Sequence, residues 1–127
     1  MKTIKNIILG LCVITAFAFT ALGNTDELVT GFKTGDAALI AKQINSTISL
    51  SINASNTMYS KAQAELVLKD FFEKNTVKAF AILHQGESKD GAQYLMGTLT
   101  TANGTHRVYA YFKKNADQTT LKELRIE

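Results

Sequence analysis

The sequence contains no proline and no tryptophan, and its one cysteine is Cys12. The absence of proline is compatible with β-strands whose hydrogen-bonded ladders run without interruption, because proline has no N–H to donate. The residues after Cys12 can form neither a disulfide nor a thiolate metal site. The domain that they build must therefore be held together by its hydrophobic core alone.

The sequence also lacks a large excess of basic or acidic residues. The chain has 14 basic and 11 acidic residues, and two of the basic residues, Lys2 and Lys5, precede a long apolar run. If the N-terminal segment is removed, 12 basic residues face 11 acidic ones, which leaves a net charge of +1. Because the basic residues are scattered along the chain, we expect no footprint for nucleic acid or for an anionic membrane surface.

We interpret residues 1–23 as a secretory signal peptide. Two lysines precede the apolar run Ile7 to Ala21, and Ala21-Leu22-Gly23 is a suitable cleavage site. A transmembrane anchor is the alternative, but the run is shorter than the ~20 apolar residues that a span needs. A lipidated Cys12 is disfavoured because leucine precedes it. The prediction is a protein exported to the periplasm or beyond, with residues 24–127 as its single domain.

The strongest helix pattern covers residues 60–75. Its apolar residues recur with the 3.6-residue period that gathers side chains into one stripe; they are Ala64, Val67, Leu68, Phe71 and Phe72. Ser60 and Gln63 have the spacing of a capping box, which fixes the start of the helix. Such a helix is marginal by itself, so we expect a sheet to receive the two phenylalanines.

The residues before this helix predict two short helices and one or two strands. The helices cover Asn24 to Lys33 and Ala37 to Ile44, and Gly35 separates them. From Thr47 to Asn53 the apolar period changes to two, which indicates a half-buried strand. Thr57 to Tyr59 forms a short returning strand in this prediction.

The residues after Asn75 predict strands to the end of the chain. Asn103-Gly104 is a strong signal for a tight hairpin turn, because both residue types tolerate positive φ. The four predicted strands are Val77–Gln85, Ala92–Thr101, Thr105–Lys113 and Thr119–Ile126. Helices followed by an antiparallel meander give a single domain of the α+β class.

In this order of elements the chain resembles the nuclear transport factor 2-like superfamily, whose cone-shaped fold is similar to that of cystatin. The likeness lies in the break at Gly35-Asp36, the strand at Ile48 to Ile52, Tyr59-Ser60-Lys61 at the start of the long helix and Asp70-Phe71-Phe72 at its end. Within the superfamily, the chain is most similar to a domain-of-unknown-function family of small exported proteins from Gram-negative bacteria. The resemblance implies helices packed on a curved antiparallel sheet. It does not imply an activity, because the superfamily includes isomerases, dehydratases, transport adaptors and non-catalytic binding modules.

Few ionisable residues are placed where they could act as catalytic groups or metal ligands. His84 shares the parity of Phe80 and Ile82, so we expect it to point into the cone, either as a base or as a histidine satisfied by a backbone carbonyl. His106 follows a turn and is expected to be solvated. With only two histidines and no cysteine after Cys12, we predict no metal site and no cofactor.

Glu123 is the one acidic residue that the sequence places inside a predicted strand. It shares the parity of Leu121 and Arg125. We expect Glu123 to form a surface pair with Arg125, or with Arg107 on a neighbouring strand, rather than to act as a catalytic acid.

Aromatic residues indicate a candidate binding surface. Tyr109 and Tyr111 alternate with apolar residues, so both faces of their strand carry bulky side chains. One face receives the helices, and the other has no obvious cover. Leu66 also lies away from the buried stripe of its helix. We therefore take His84, Tyr109 and Tyr111 as candidate ligand-binding residues.

These observations favour an exported, non-catalytic module that binds a small molecule or a protein. One alternative is a small-molecule isomerase or lyase, with His84 as base and a tyrosine as hydrogen-bond donor. Another is a homodimeric structural protein that associates through the open face of its sheet.

Overall fold

The computed structural model describes residues 23–116 and 118–127. The predicted signal peptide, apart from Gly23, lies outside the described residues. The described helices are α1 (Gly23–Thr34), α2 (Ala37–Ala41) and α3 (Lys61–Lys74); the strands are β1 (Thr47–Ile52), β2 (Ser55–Ser60), β3 (Val77–Glu87), β4 (Gln93–Thr101), β5 (Gly104–Asn115) and β6 (Gln118–Ile126). None of the helices in these two ranges is long and apolar enough to cross a membrane.

Helix α3 begins and ends where its sequence predicts. The Ser60 hydroxyl accepts a hydrogen bond from the Gln63 N–H, and the Gln63 side chain accepts one from the Ser60 N–H, both at 3.2 Å. This capping box satisfies N–H groups that the first turn would otherwise leave unpaired. The predicted stripe is buried at Ala64, Leu68, Phe71 and Phe72. Leu66, on the other side of the helix, remains 65% exposed.

The six strands form one sheet in the order β2-β1-β6-β5-β4-β3. Strands β3 to β6 are the antiparallel meander that the sequence predicts. Strand β1 extends this meander by pairing in parallel with β6, and β2 returns along β1 as a full six-residue strand. The hairpin between β1 and β2 turns at Asn53 and Ala54, which both have positive φ.

The helices cover one face of the sheet, and side chains fill the space between the helices and the sheet. Phe32 of α1 stacks on Phe80 of β3 with ring centroids 5.1 Å apart, and Phe72 of α3 meets Phe32 edge-on at 6.0 Å. The Phe80 ring lies over Gly97 so closely that a Cβ at Gly97 would be 2.5 Å from it. Leu95, also on β4, is fully buried in the same core. The interior at this point is hydrophobic core.

Two local predictions differ from the structure. Helix α2 ends at Ala41 instead of Ile44, because the chain then tightens into turns and the Gln43 carbonyl accepts a 2.7 Å hydrogen bond from the Leu121 N–H of β6. The β4–β5 hairpin forms as expected, but Thr101 pairs with Gly104. Gly104, with φ of 131°, is therefore the first residue of β5 and not a central residue of the turn.

Candidate functional site

Strand β5 carries bulky side chains on both faces, as its sequence predicts. Val108, Ala110 and Phe112 point into the core and are fully buried. Tyr109 and Tyr111 alternate with them and are half-buried on the opposite face. We call this opposite side, which faces away from the helices, the outer face of the sheet.

Neighbouring strands add to the two tyrosines on the outer face. Tyr94 lies directly opposite Tyr111, and Met96 lies opposite Tyr109, in the β4–β5 pairing. Both are half-buried. Cross-strand pairs of this kind bring side chains into contact. Together with His84, which pairs with Met96, these residues form what we call the outer aromatic patch: His84, Tyr94, Met96, Tyr109 and Tyr111.

His84 lies on the outer face, so the prediction that it points into the cone is wrong. The β3–β4 register shifts between Ile82 and His84. Ile82 is opposite Gly97, which belongs to the inner face, whereas His84 is opposite Met96. An extra residue in one strand reverses the side-chain alternation that follows it. The strand that carries Phe80 inward therefore carries His84 outward.

His84 and Tyr94 are joined by a hydrogen bond of 3.0 Å between Nε2 and the phenolic oxygen. The tautomer of the imidazole decides which of the two donates. The tyrosine reaches this position because Gly86 lies under its ring, where a Cβ would be 2.6 Å from the hydroxyl oxygen. The partner of His84 is thus a tyrosine side chain and not the backbone carbonyl that we expected.

Charged residues border the patch on β6. Arg125 Nε donates to Glu123 Oε2 at 2.9 Å, and the Arg125 guanidinium lies 5.5 Å from the centre of the Tyr109 ring. The predicted pair therefore exists, although it lies within one strand. The expected common parity of Glu123 and Leu121 is wrong, because a register shift between Tyr111 and Phe112 places Leu121 in the core.

The second histidine lies in a different environment from the one predicted. His106 is half-buried, and its ring meets the Phe71 ring edge-on at 5.4 Å. Its Nε2 is buried and has no hydrogen-bond partner among the described residues. The expectation that His106 is solvated is wrong, because the C-terminal end of α3 packs against the hairpin that carries it.

The carboxyl groups with clearly lowered pKa values lie outside the patch. The pKa of Glu27 is lowered mainly by a hydrogen bond from the Gln43 side chain and then by Lys42. The pKa of Asp90 is lowered first by its hydrogen bond with the Ser88 hydroxyl. Within residues 23–116 and 118–127, no group of three or more histidine, cysteine or carboxylate side chains is arranged to hold a metal ion.

The three residues singled out from the sequence, His84, Tyr109 and Tyr111, thus lie on one face of the sheet. Sequence reasoning missed Tyr94 and Met96, although their alternation with buried Leu95 on β4 gives the same signal as β5 does. The arrangement offers aromatic surface, a thioether and an exposed imidazole–phenol pair. It differs from the isomerase type of site, in which the base acts inside an apolar cavity.

Comparison with models of protein families shows to which family the chain belongs. Residues 25–127 match the model of a domain of unknown function, DUF4783. The chain belongs to this family. A crystal structure of a DUF4783 protein from Bacteroides ovatus is 31% identical to the chain and has a TM-score of 0.75, covering 79% of this chain and 90% of that one. The DUF4783 protein from Bacteroides uniformis is 29% identical with a TM-score of 0.76, over 80% and 94% of the two chains.

More distant structures show the fold alone. An NTF2-like protein of unknown function from Cytophaga hutchinsonii has a TM-score of 0.61 at 10% identity, covering 89% of this chain and 93% of that one. The fold is therefore of the nuclear transport factor 2-like type, as the resemblance implied. No curated protein matches the chain.

Proposed function

We propose that this protein is a non-catalytic protein-binding module and that the outer aromatic patch is its binding surface. The observation that supports the proposal is the position of five large side chains, from three adjacent strands, on the face that no described helix covers. Tyrosine and methionine are enriched in protein interfaces, and exposed apolar patches usually mark interaction sites.

The shape of the patch favours a protein surface as the partner. Sites for small molecules are concave and enclose most of the ligand. The patch instead lies on the face of a sheet, where His84 is exposed and the other four side chains are half-buried. Tyrosine and methionine present broad contact area that a flat partner can cover. The cavity side of the fold, where relatives with enzymatic activity work, is occupied by Phe32, Phe72 and Phe80.

The partner that the charges favour is a second copy of the chain. Arg125 and Glu123 lie next to each other at the border of the patch. In a two-fold symmetric pair, the same patch meets itself, so Arg125 of one copy can approach Glu123 of the other. A patch whose border carries both signs can therefore be electrostatically complementary to a second copy, and such complementarity fixes orientation.

Sedimentation of the purified protein at increasing concentration tests this proposal. We expect a monomer–dimer equilibrium for the wild type, and a monomer for Tyr109→Glu and Tyr111→Glu, because a charge in the centre of an apolar interface is left without solvent or partner. Leu66→Glu is the matched control, since Leu66 is an exposed apolar residue on α3, away from the outer face. This control should dimerise like the wild type.

Two outcomes would overturn the proposed self-association. The wild type could sediment as a monomer up to high micromolar concentration, or Leu66→Glu could dissociate the dimer while Tyr111→Glu leaves it intact. The second result would move the interface from the sheet to α3. Thermal unfolding of each variant shows whether a loss of association arises from a loss of folding.

A further inference from the structure

The tip of the β4–β5 hairpin carries a residue pair that can react by itself. Asn103 is the one asparagine of the chain that is followed by glycine. Asn103 and Gly104 are both exposed, and a Cβ at Gly104 would meet no other atom within 4 Å. The surroundings of Gly104 are thus open, and no side chain of its own hinders a reaction at its backbone nitrogen.

The side-chain amide of Asn103 joins this hairpin to the end of α3. Its Nδ2 donates to the Lys74 carbonyl oxygen at 2.7 Å and to Asn75 Oδ1 at 2.9 Å. Lys74 is the last residue of α3, so its carbonyl has no partner within the helix. Both partners of Nδ2 are acceptors, and the contact therefore needs an N–H donor at this position.

We propose that Asn103 is a site of spontaneous deamidation and that this modification releases the hairpin from α3. The backbone nitrogen of Gly104 attacks Cγ of Asn103 and loses its proton as the new C–N bond forms. The bond between Cγ and Nδ2 breaks, and ammonia leaves. Water then opens the cyclic imide, which yields aspartate or isoaspartate. No atom is oxidised or reduced, and solvent water is the only co-reactant.

The hydrogen bonds of the amide control how fast the folded protein reacts. While Lys74 and Asn75 hold Nδ2, the side chain of Asn103 cannot turn freely towards the nitrogen of Gly104. The reaction therefore requires a local opening of the hairpin tip. Exposed turns open at a small cost in free energy compared with the core of a fold. Removal of one acceptor should make such openings more frequent and the reaction faster.

The product of the reaction opposes the contact that the amide makes. A carboxylate offers only acceptor oxygens, and in place of Nδ2 it would face the Lys74 carbonyl and Asn75 Oδ1. It also adds a negative charge at the C-terminal end of α3, where the helix dipole disfavours anions. We expect the hairpin to separate from α3 and to weaken the edge-on contact between Phe71 and His106.

Peptide mapping by mass spectrometry tests the reaction on purified protein that has been incubated at mildly alkaline pH. We expect conversion at Asn103 with both aspartate and isoaspartate as products. Three exposed asparagines that precede larger residues are internal controls and should stay unmodified; they are Asn45, Asn53 and Asn56. Asn75→Ala should raise the rate of conversion at Asn103 several-fold, because one of the two acceptors is gone.

Thermal unfolding tests the structural consequence. Asn103→Asp is the encoded product of the reaction, and Asn103→Ala is the matched control, because it removes the donor without adding a charge. We expect the melting temperature to fall from the wild type to Asn103→Ala and further to Asn103→Asp. In Asn103→Asp, the largest amide NMR shifts should lie at the end of α3, at Lys74 and Asn75.

Three results would overturn the proposal. Asn103 could remain intact while the protein is incubated, or Asn45, Asn53 and Asn56 could convert at the same rate as Asn103. Asn103→Asp could melt at the same temperature as Asn103→Ala or above it, which would show that the carboxylate does not oppose the helix end. None of these readouts depends on the outer aromatic patch, so they test this site separately from the proposed self-association.

Discussion

The two faces of strand β5 differ in what they contribute to the protein. The inner face presents Val108, Ala110 and Phe112, which are fully buried against the helices and neighbouring strands. The outer face presents Tyr109 and Tyr111, which stay half-exposed beside Tyr94. In our proposal, one strand thus provides side chains for stability on one side and for recognition on the other. Substitutions of adjacent residues can separate the two roles.

The largest difference should appear between Phe112 and Tyr111, which are neighbours in sequence. Phe112→Ala removes a fully buried ring and leaves a cavity, so we expect the free energy of unfolding to fall by about 3–5 kcal/mol. Tyr111→Ala removes a half-exposed ring and should cost about 1 kcal/mol or less. Urea unfolding at low protein concentration measures both. Similar losses at the two positions would contradict the division between the faces.

Two glycines allow a second comparison. A Cβ at Gly97 would lie 2.5 Å from the buried Phe80 ring and 2.8 Å from a backbone oxygen, so Gly97→Ala should destabilise the fold by about 1–3 kcal/mol. The three atoms nearest to a Cβ at Gly86 all belong to the Tyr94 side chain, which can turn towards solvent. Gly86→Ala should therefore cost less than about 1 kcal/mol. Urea unfolding would contradict this account if Gly86→Ala were the more destabilising change.

The two histidines also differ in how deeply their side chains are buried. The buried Nε2 of His106 has no partner among the described residues, so His106→Leu should leave stability unchanged or raise it by up to about 1 kcal/mol. His84→Leu breaks the exposed hydrogen bond to Tyr94 and should change stability by no more than about 0.5 kcal/mol. A large loss in thermal stability for His106→Leu would show that the imidazole makes a contact that leucine cannot replace.

The smallest effect concerns pH and a surface carboxylate. The pKa of Glu27 is lowered in the folded protein, mainly by Gln43 and then by Lys42. A lowered pKa means that the stabilising contribution is present above the usual carboxyl pKa and is lost as the pH falls through the folded-state value. We expect Glu27→Gln to be less sensitive to acid than the wild type in thermal melts over this range. Equal acid sensitivity of the two proteins would contradict the assignment.

Much of the fold could be predicted because its signals are local. The stripe and capping box of α3, and the alternation in β1 and β5, are periodicities within one element. The parallel pairing of β1 with β6 was not predicted, because it depends on how the meander is extended after it forms. The position of β2 in the sheet follows from the same pairing.

The candidate site was predicted only in part for a similar reason. A register shift before His84 reversed its direction, and such shifts depend on packing across strands, here around Gly97. Residues 79–83 are all apolar, so the sequence of β3 gives no local sign of the shift.

The most direct test of the binding role of the outer face is amide NMR of the wild-type protein at increasing concentration. We predict that the concentration-dependent shifts concentrate at Tyr94, Met96, Tyr109 and Tyr111, and that the buried neighbours Leu95 and Ala110 shift less. Spectra that do not change with concentration, or changes centred on α3 around Leu66, would contradict the assignment of the outer aromatic patch as the binding surface.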